Sequence, residues 1–356
     1  MAGAAMRTIT LIAGDGIGPE VTYAARDVVL ASGAPVRFEE VPAGERAEHS
    51  HGTPLPRAVF DSIDRTRIVL KGPTHTPFGG DYRVHIERNE GGKVARRTHP
   101  SLTIALRKEL GLFVNVRPVK KYPGVASRFE HVDLIIFREN SEDLYTGIER
   151  MVDEGTAEAI KIISARGTER VARYALDTMQ RLGRRRITIV HKANVLKMTD
   201  GLFLRTAQDT ARGRSGIVVD QRVVDALCME LVMHPEEYDC LLLPNLYGDI
   251  VSDLAAGLVG GLGVAPGANI GPECAMFEAV HGCAPDLAGQ DAANPMALIL
   301  SAVMMLRHIG EMAAADRIEA ALAGVLREGR TVTRDLGGTA GTRAMTAAII
   351  ERLSKA

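Results

Sequence analysis

Tryptophan is absent and aromatic residues make up only 4% of the chain. That leaves little for the stacking platforms on which bases and sugars are held. Cysteine is scarce as well. Four stand at positions 228, 240, 274 and 283, with no C-x-x-C and no histidine at zinc-ligand spacing. In a chain of 356 residues, such scattered thiols read as small buried residues of a reducing compartment. Neither sign of charge is in excess: 43 Lys and Arg face 44 Asp and Glu, for a formal net charge of -1. This balance argues against a basic nucleic-acid binder and against a polyacidic tail. Gly (36) and Pro (16) are at ordinary usage, which excludes collagen-like and low-complexity chains. The apolar run Met296 to Leu306 is too short to span a bilayer. The opening MAGAAMRTITLIAGDG has no basic segment ahead of its apolar run, so a signal peptide is not expected. These features predict a soluble cytoplasmic protein of roughly two domains, without a nucleic-acid or membrane partner.

Short apolar runs alternate with longer amphipathic ones. Thr8–Ile12, Arg67–Leu70, Val132–Phe137, Arg186–Val190, Ile217–Val219 and Cys240–Leu243 read as strands covered on both faces. Val21, Ala24, Ala25, Val28 and Val29 recur at helical spacing, with Pro19 suited to the first turn and Gly33 placed to end the helix. The stretches 168–182 and 201–212 show the same pattern. This alternation predicts an α/β fold. Several strands end in chemically capable residues: AGDG, KGPT at 71–74, FRENSED at 137–143, VHKAN at 190–194 and LPNLYGD at 243–249. Any one could be a capped turn. Five together favour a ligand site at strand ends.

GDGIGPE at 14–20 is spaced G-x-G-x-G and so is not a dinucleotide fingerprint. As a whole it resembles the opening motif of the β-decarboxylating dehydrogenases, the isocitrate and isopropylmalate dehydrogenase family. SLTIALRKELGLFVNVRPV at 101–119, RENSEDLYTGIE at 138–149, HKANVLKMTDG, PNLYGDIVSDLAAGLVGGLGVAPGANIG and FEAVHGCAPDLAGQDAANP follow in the family's order. The resemblance covers nearly the whole chain and is closest to the NAD-dependent isocitrate branch. It implies a two-domain fold with a mixed sheet spanning both domains, not a Rossmann fold. Residues 1–110 plus 258–356 would form the large cofactor domain and 111–257 the small substrate and dimerisation domain, with 143–182 as a dimer arm.

Asp249 and Asp253 are four apart and share a face if a helix begins near Asp249. Hard oxygen ligands suit Mg²⁺ or Mn²⁺. The plainer reading is an N-cap and a solvated first-turn acid. The resemblance implies metal binding by both, with Asp225 supplied by a partner subunit. It also implies that Arg107, Arg117 and Arg138 hold substrate carboxylates, a task for bidentate, permanently charged donors. Singly, Arg107 could be a surface residue near a helix C-terminus and Arg138 a strand-end charge, while Arg117, before Pro118, should be extended. Lys192 and Tyr145 match the family's proton carriers. A lysine near a divalent ion and other cations can act as base toward a 2-hydroxyl, and a tyrosine can return a proton to carbon. On pattern alone, Tyr145 is a packing aromatic. Lys192, with Asn194 beside it, is expected to serve the neighbour's site in a homodimer.

Glu278, His281, Gly282, Ala284, Asp286 and Asn294 resemble the family's adenosine-binding loop, and Thr76 is a candidate contact on the nicotinamide side. An acid at 286 can bind ribose hydroxyls and would repel a 2′-phosphate, which together with TRDLGGTAGT at 333–342 predicts NAD as cofactor. Ser101 and Thr103 stand where the isocitrate branch has Ser-x-Asn, and both are taken as substrate-binding. Between Phe78 and His99 lies an insertion rich in Arg, Lys and His. It reads either as a solvated hairpin turning at NEGG (89–92) or as a basic flap over an anionic substrate. The resemblance implies metal- and NAD-dependent oxidative decarboxylation of a 2-hydroxy acid, with isocitrate first. Homoisocitrate, a phosphonate analogue such as phosphonomethylmalate, and isopropylmalate are the alternatives, and a non-catalytic regulatory subunit is the rival of another class.

Overall fold

In the computed structural model, residues 6–77 and 82–355 are described. Phe78 and Asp81, at the start of the basic segment, lie outside them. The chain opens β1 (Arg7–Ile12), α1 (Gly18–Ala31), β2 (Val36–Glu40), α2 (Glu45–His51), α3 (Arg57–Thr66) and β3 (Ile68–Lys71). A hairpin, β4 (Val84–Glu90) and β5 (Lys93–His99), leads into α4 (Leu102–Glu109), β6 (Val114–Lys120) and β7 (Asp133–Glu139). A second hairpin, β8 (Glu149–Asp153) and β9 (Thr156–Ala159), precedes α5 (Ala165–Arg181), β10 (Arg186–His191), α6 (Thr199–Ala211), β11 (Val218–Val223), α7 (Val224–Met233), β12 (Cys240–Leu243) and α8 (Asn245–Leu258). The chain closes with β13 (Pro266–Ile270), β14 (Ala275–Ala279), α9 (Met296–His308), α10 (Met312–Glu328) and α11 (Thr342–Leu353).

Ten strands form one mixed sheet in the order β11-β10-β12-β7-β6-β13-β14-β3-β1-β2. The four strands at each end are parallel among themselves. They are joined by antiparallel pairing of β7 with β6, β6 with β13 and β13 with β14. The two parallel blocks therefore run in opposite directions, and the five polar strand ends do not share one edge of the sheet. All six predicted strands are present. The apolar runs of β1, β3, β7, β10 and β12 are largely buried because helices cover both faces, as parallel sheets require, whereas the edge strand β11 is half-exposed, with Val218 open to solvent. The apolar run at 296–306 is α9, buried almost throughout against β13 and β14. No described helix is long and apolar enough to cross a membrane.

The basic segment is a hairpin. Gly91 and Gly92 both have positive φ, which a two-residue loop of this kind requires, and the arms pair from Glu90–Lys93 to Val84–His99. Val84 and Ile86 are buried in a second core with Phe60, Ile63, Leu102, Ala105 and Leu106.

Candidate active site

GDGIGPE makes a junction. Asp15 N–H donates to the Pro73 carbonyl and Ile17 N–H to the Cys283 carbonyl, both at 2.8 Å. The Asp15 carboxylate accepts from the backbone N–H groups of Glu45 (2.8 Å) and His75 (2.9 Å). Gly16 sits at φ +58°, and a Cβ there would collide with the Cys283 carbonyl. Glu20 accepts from Ala293 N–H at 3.0 Å and from the Thr342 hydroxyl. Four loops are thus tied to the first turn of α1, including both segments on which the NAD reading rests.

A buried polar seam crosses the middle of the sheet. Asn115 on β6 lies beside Arg138 on β7 and Asn269 on β13, and Glu278 on β14 pairs with Lys71 on β3. Asn115 donates to Asn269 (2.9 Å), Asn269 to Glu278 (2.9 Å), and Lys71 Nζ to Glu278 (2.8 Å). Arg107, in the last turn of α4, reaches Glu278 at 3.3 Å. Arg117 donates to Asn115 at 2.6 Å. Burial works to raise the Glu278 carboxyl, but Lys71, Arg107 and Asn269 outweigh it and hold it down at about 2. The seam brings Arg107, Arg117 and Arg138 together. Burial depresses the latter two guanidiniums, and repulsion from Arg107 on both and from Arg117 on Arg138 adds to it. Such a cluster of cations, shielded from water, favours a ligand with several carboxylates.

The carboxylates opposite come from α8. This helix begins at Asn245, one turn before Asp249, and not near Asp249 as the sequence reading expects. The cause is local: β12 ends at Leu243, Pro244 takes the extended N-cap position, and the Asp143 carboxylate accepts from Leu246 N–H (2.9 Å) in place of a local cap. Asp249 is therefore not a cap. Asp249 and Asp253 still share a face, and Arg117 reaches them at 3.3 and 3.5 Å. Arg138 lies along the helix. It donates to Asn245 (2.7 Å) and to Asp249, and a Cβ on Gly248 would overlap its side chain. Burial works to raise the Asp249 carboxyl, but Arg138, Arg117, Tyr145 and Arg107 keep it below the usual range. Burial, with Asp249 nearby, raises Asp253 despite Arg117. Two carboxylates on one helical face match the hard donors a divalent cation takes.

Tyr145 is more than a packing aromatic. Its hydroxyl donates to Asp249, and Arg138 stacks over its ring at 4.9 Å. Burial raises its hydroxyl against the pull of Arg138, so the group keeps its proton. Lys192 and Asp225 form an ion pair at 2.5 Å, at the ends of β10 and β11. Within one chain, no described group of three metal-ligating side chains includes Asp225 with Asp249 and Asp253. Asn194 follows in the same exposed turn as Lys192.

His281, Thr103, Thr74, Arg107 and Arg117 line one small cavity of about 130 Å³. Burial pushes the His281 imidazole down, and among the described residues its buried Nε2 has no partner. That nitrogen, and the buried Nε of Arg107, are free to meet a ligand. Asn294 donates to Asp335 of TRDLGG at 2.9 Å, which joins the two predicted cofactor segments. Gly282, Ala284 and Asp286 are exposed on the intervening loop, and Ala284 has a φ of +37°. Thr76 is exposed beyond KGPT. An exposed carboxylate, an open loop and an unpartnered imidazole together fit a dinucleotide. Glu278 lines the same cavity as His281 and Gly282 and is engaged there with Lys71 and Arg107. Ser101 is the N-cap of α4, accepting from Ile104 N–H at 3.2 Å, and Thr103 points to Thr74 at 3.4 Å. Lys71 stands out only as part of the strand end KGPT, and Asn115 and Asn269 do not stand out in the sequence. Single polar residues inside apolar strands are their only signal.

The chain matches the family described as isocitrate/isopropylmalate dehydrogenase over residues 8–353. It is 43% identical over 334 residues to the alpha chain of a probable NAD isocitrate dehydrogenase of Drosophila melanogaster, covering 94% of this chain and 84% of that one. It is 40% identical over 351 residues to a regulatory subunit of the NAD isocitrate dehydrogenase of Dictyostelium discoideum, covering 98% and 93%. Its fold superposes on the crystal structure of isocitrate dehydrogenase from Methylococcus capsulatus with a TM-score of 0.91 and 46% identity, over 98% of this chain and 99% of that one.

Proposed function

The chain belongs to the isocitrate/isopropylmalate dehydrogenase family and is a decarboxylating dehydrogenase, and we propose that it oxidises isocitrate to 2-oxoglutarate with NAD and a divalent cation, Mg²⁺ or Mn²⁺. The observation that carries this reading is the buried arginine cluster facing Asp249 and Asp253. Arg107, Arg117 and Arg138 bind and orient the substrate carboxylates. Asp249 and Asp253 hold the cation, with Asp225 of a second copy. A cation held there would supply Lewis acidity, and NAD would supply the hydride acceptor. Lys192 of the second copy takes the 2-hydroxyl proton. Tyr145, which keeps its proton, delivers one to the carbon that loses carbon dioxide. Asp286 meets the ribose hydroxyls, and His281 and Asn294 line the adenosine side.

Homodimerisation with shared sites is part of the proposal. Lys192 and Asp225 pair with each other beside exposed apolar side chains: Val195, Met198, Met229, Met233 and Ile250 on neighbouring α8. Exposed apolar side chains on the segments that carry two functional residues favour burial against a second copy. The division into 1–110 plus 258–356 and 111–257 belongs to the same reading. The β6–β13 pairing is where these parts meet.

The reading of a non-catalytic regulatory chain is favoured only by one relative's description. Against it stand Tyr145, Lys192, three arginines and three aspartates in one chain. The test is a panel of isocitrate, homoisocitrate, isopropylmalate and phosphonomethylmalate with NAD and Mn²⁺, read as kcat/KM. Isocitrate should lead, and chelation with EDTA should abolish turnover until metal is restored. A tenfold preference for another member of the panel overturns the substrate. Full activity after exhaustive chelation overturns the metal.

A further inference from the structure

The β4–β5 hairpin carries cations that do not face the arginine cluster, and where they go is specific. Two of them, Arg97 and Arg88, converge with His99 on the C-terminal end of α4. His99, the last residue of β5, meets Glu109 Oε1 at 3.0 Å, and Arg97 meets Glu109 Oε2 at 2.7 Å. Arg88 donates to the Glu109 backbone carbonyl and to Asp64 of α3 at 2.9 Å, with its guanidinium 5.5 Å from the Phe60 ring centre. Glu109 is 5% exposed at its side chain and His99 8%. Burial keeps the His99 imidazole below its ordinary range against the pull of Glu109, so it serves as a neutral donor. His99 lies two residues before Ser101, the N-cap of α4, while Glu109 is its last residue. One contact therefore joins the two ends of the helix.

The helix has two working faces. Leu102, Leu106 and Glu109 follow the i, i+4, i+7 stripe and meet the hairpin and α3. Thr103 and Arg107, four apart, line the cavity with Arg117 and His281. Lys108 completes the fit, donating to the carbonyl of Thr146 beside Tyr145 at 3.1 Å. An eight-residue helix has little rigidity of its own. Its depth in the site is set by what packs behind it.

We propose that the hairpin is a specificity brace. Arg97 and His99, through Glu109, fix the depth at which α4 presents Thr103 and Arg107 to the group at carbon 3 of the substrate. Arg97, His99 and Glu109 are positioning residues and touch no substrate. The inference rests on the reading of the chain as a dehydrogenase of 3-substituted malates. A flap over the substrate would instead use an exposed cation such as Arg96, which pairs with Glu87 at 2.8 Å and not with Glu109.

The test compares wild type, Glu109→Gln, Arg97→Gln and Arg96→Ala on isocitrate, homoisocitrate and isopropylmalate, with melting temperatures for each. Glu109→Gln should raise KM for the preferred substrate about tenfold with kcat and the KM for NAD within about twofold. It should also compress the kcat/KM ratio between the best and second-best substrates. Arg97→Gln should do the same more weakly, and Arg96→Ala should match wild type. An unchanged ratio in a folded Glu109→Gln or Arg97→Gln protein overturns the brace alone. An Arg96→Ala effect as large as that of Glu109→Gln overturns it in favour of the flap. A wild type that turns over no member of the panel overturns the reaction reading, and the brace with it.

Discussion

Lys192 Nζ and Asp225 Oδ1 lie 2.5 Å apart in one protomer, and neither is a partner of Asp249, Asp253 or Tyr145. Asp200 accepts from the backbone N–H of Lys192 at 2.7 Å and pairs with Lys161 at 2.6 Å, so this half of the chemistry is held as firmly as the other. On the proposed reading, the two halves form one site only across a boundary between two copies of the chain.

That arrangement makes complementation the sharpest test. Lys192→Ala and Asp253→Asn should each be inactive as pure proteins. Mixed, unfolded and refolded together, they should regain roughly a quarter of wild-type activity, because half the dimers are hybrids with one intact site of two. No recovery, with hybrids demonstrated by mass, would mean that each chain carries a whole site.

The cofactor preference rests on Asp286, exposed on the loop between His281 and Asn294. NAD should be preferred over NADP by at least about 100-fold in kcat/KM, the scale of a few kcal/mol between a bound hydroxyl and a repelled phosphate. Asp286→Asn should narrow that margin, mostly through the KM for NADP. Equal efficiency of the wild type with both cofactors would refute the assignment.

What could be read in advance follows the range of the interactions. Six of the eight strands of the parallel blocks were legible, most of them because burial on both faces leaves uninterrupted apolar runs, as at Cys240–Leu243, while β2, a half-exposed edge strand reading VRFEE, and β14 were not. The start of α1 was legible from Pro19, and the hairpin turn from NEGG. The start of α8 was not, since its cap is the carboxylate of Asp143, about a hundred residues earlier. The polar seam was hidden for the same reason. Asn115, Asn269 and Glu278 meet only because β6, β13 and β14 pair in one register. The opposite directions of the two parallel blocks follow from those same antiparallel pairings, which short apolar runs do not encode.

Gly16 links sequence motif to cofactor loop. At φ +58°, with the Cys283 carbonyl against its α-carbon, alanine is strained and must push the 281–284 loop away. Gly16→Ala should cost about 1–3 kcal/mol in stability, the scale of a left-handed non-glycine residue under strain. It should raise the KM for NAD more than that for the hydroxy acid. A chemical-denaturation curve and two KM titrations decide this. An altered substrate KM with an unchanged NAD KM would show that the junction serves the other side of the site.

Glu278 gives the last prediction, in acid. Its carboxyl is buried with Lys71 and Arg107 and is held at about 2, against an ordinary value near 4.5. A folded-state value below the unfolded one means that the stabilisation is complete above about pH 4.5 and is lost as pH falls toward 2. Glu278→Gln leaves Lys71, 1% exposed, without its counter-charge. Removing one partner of a buried pair costs roughly 3–5 kcal/mol. The variant should therefore be less stable than wild type by about that much at pH 7. The gap should shrink steadily between pH 4.5 and 2.5, because the unfolded wild-type chain then takes up a proton at this carboxyl that the folded one, held at about 2, does not. Urea unfolding of both proteins at pH 7, 4.5, 3.5 and 2.5 measures the gap directly. Other carboxylates titrate in that range too, but they are common to both proteins and cancel in the difference. A gap that stays constant with pH would mean that Glu278 contributes by shape and hydrogen bonding, with its charge playing no part.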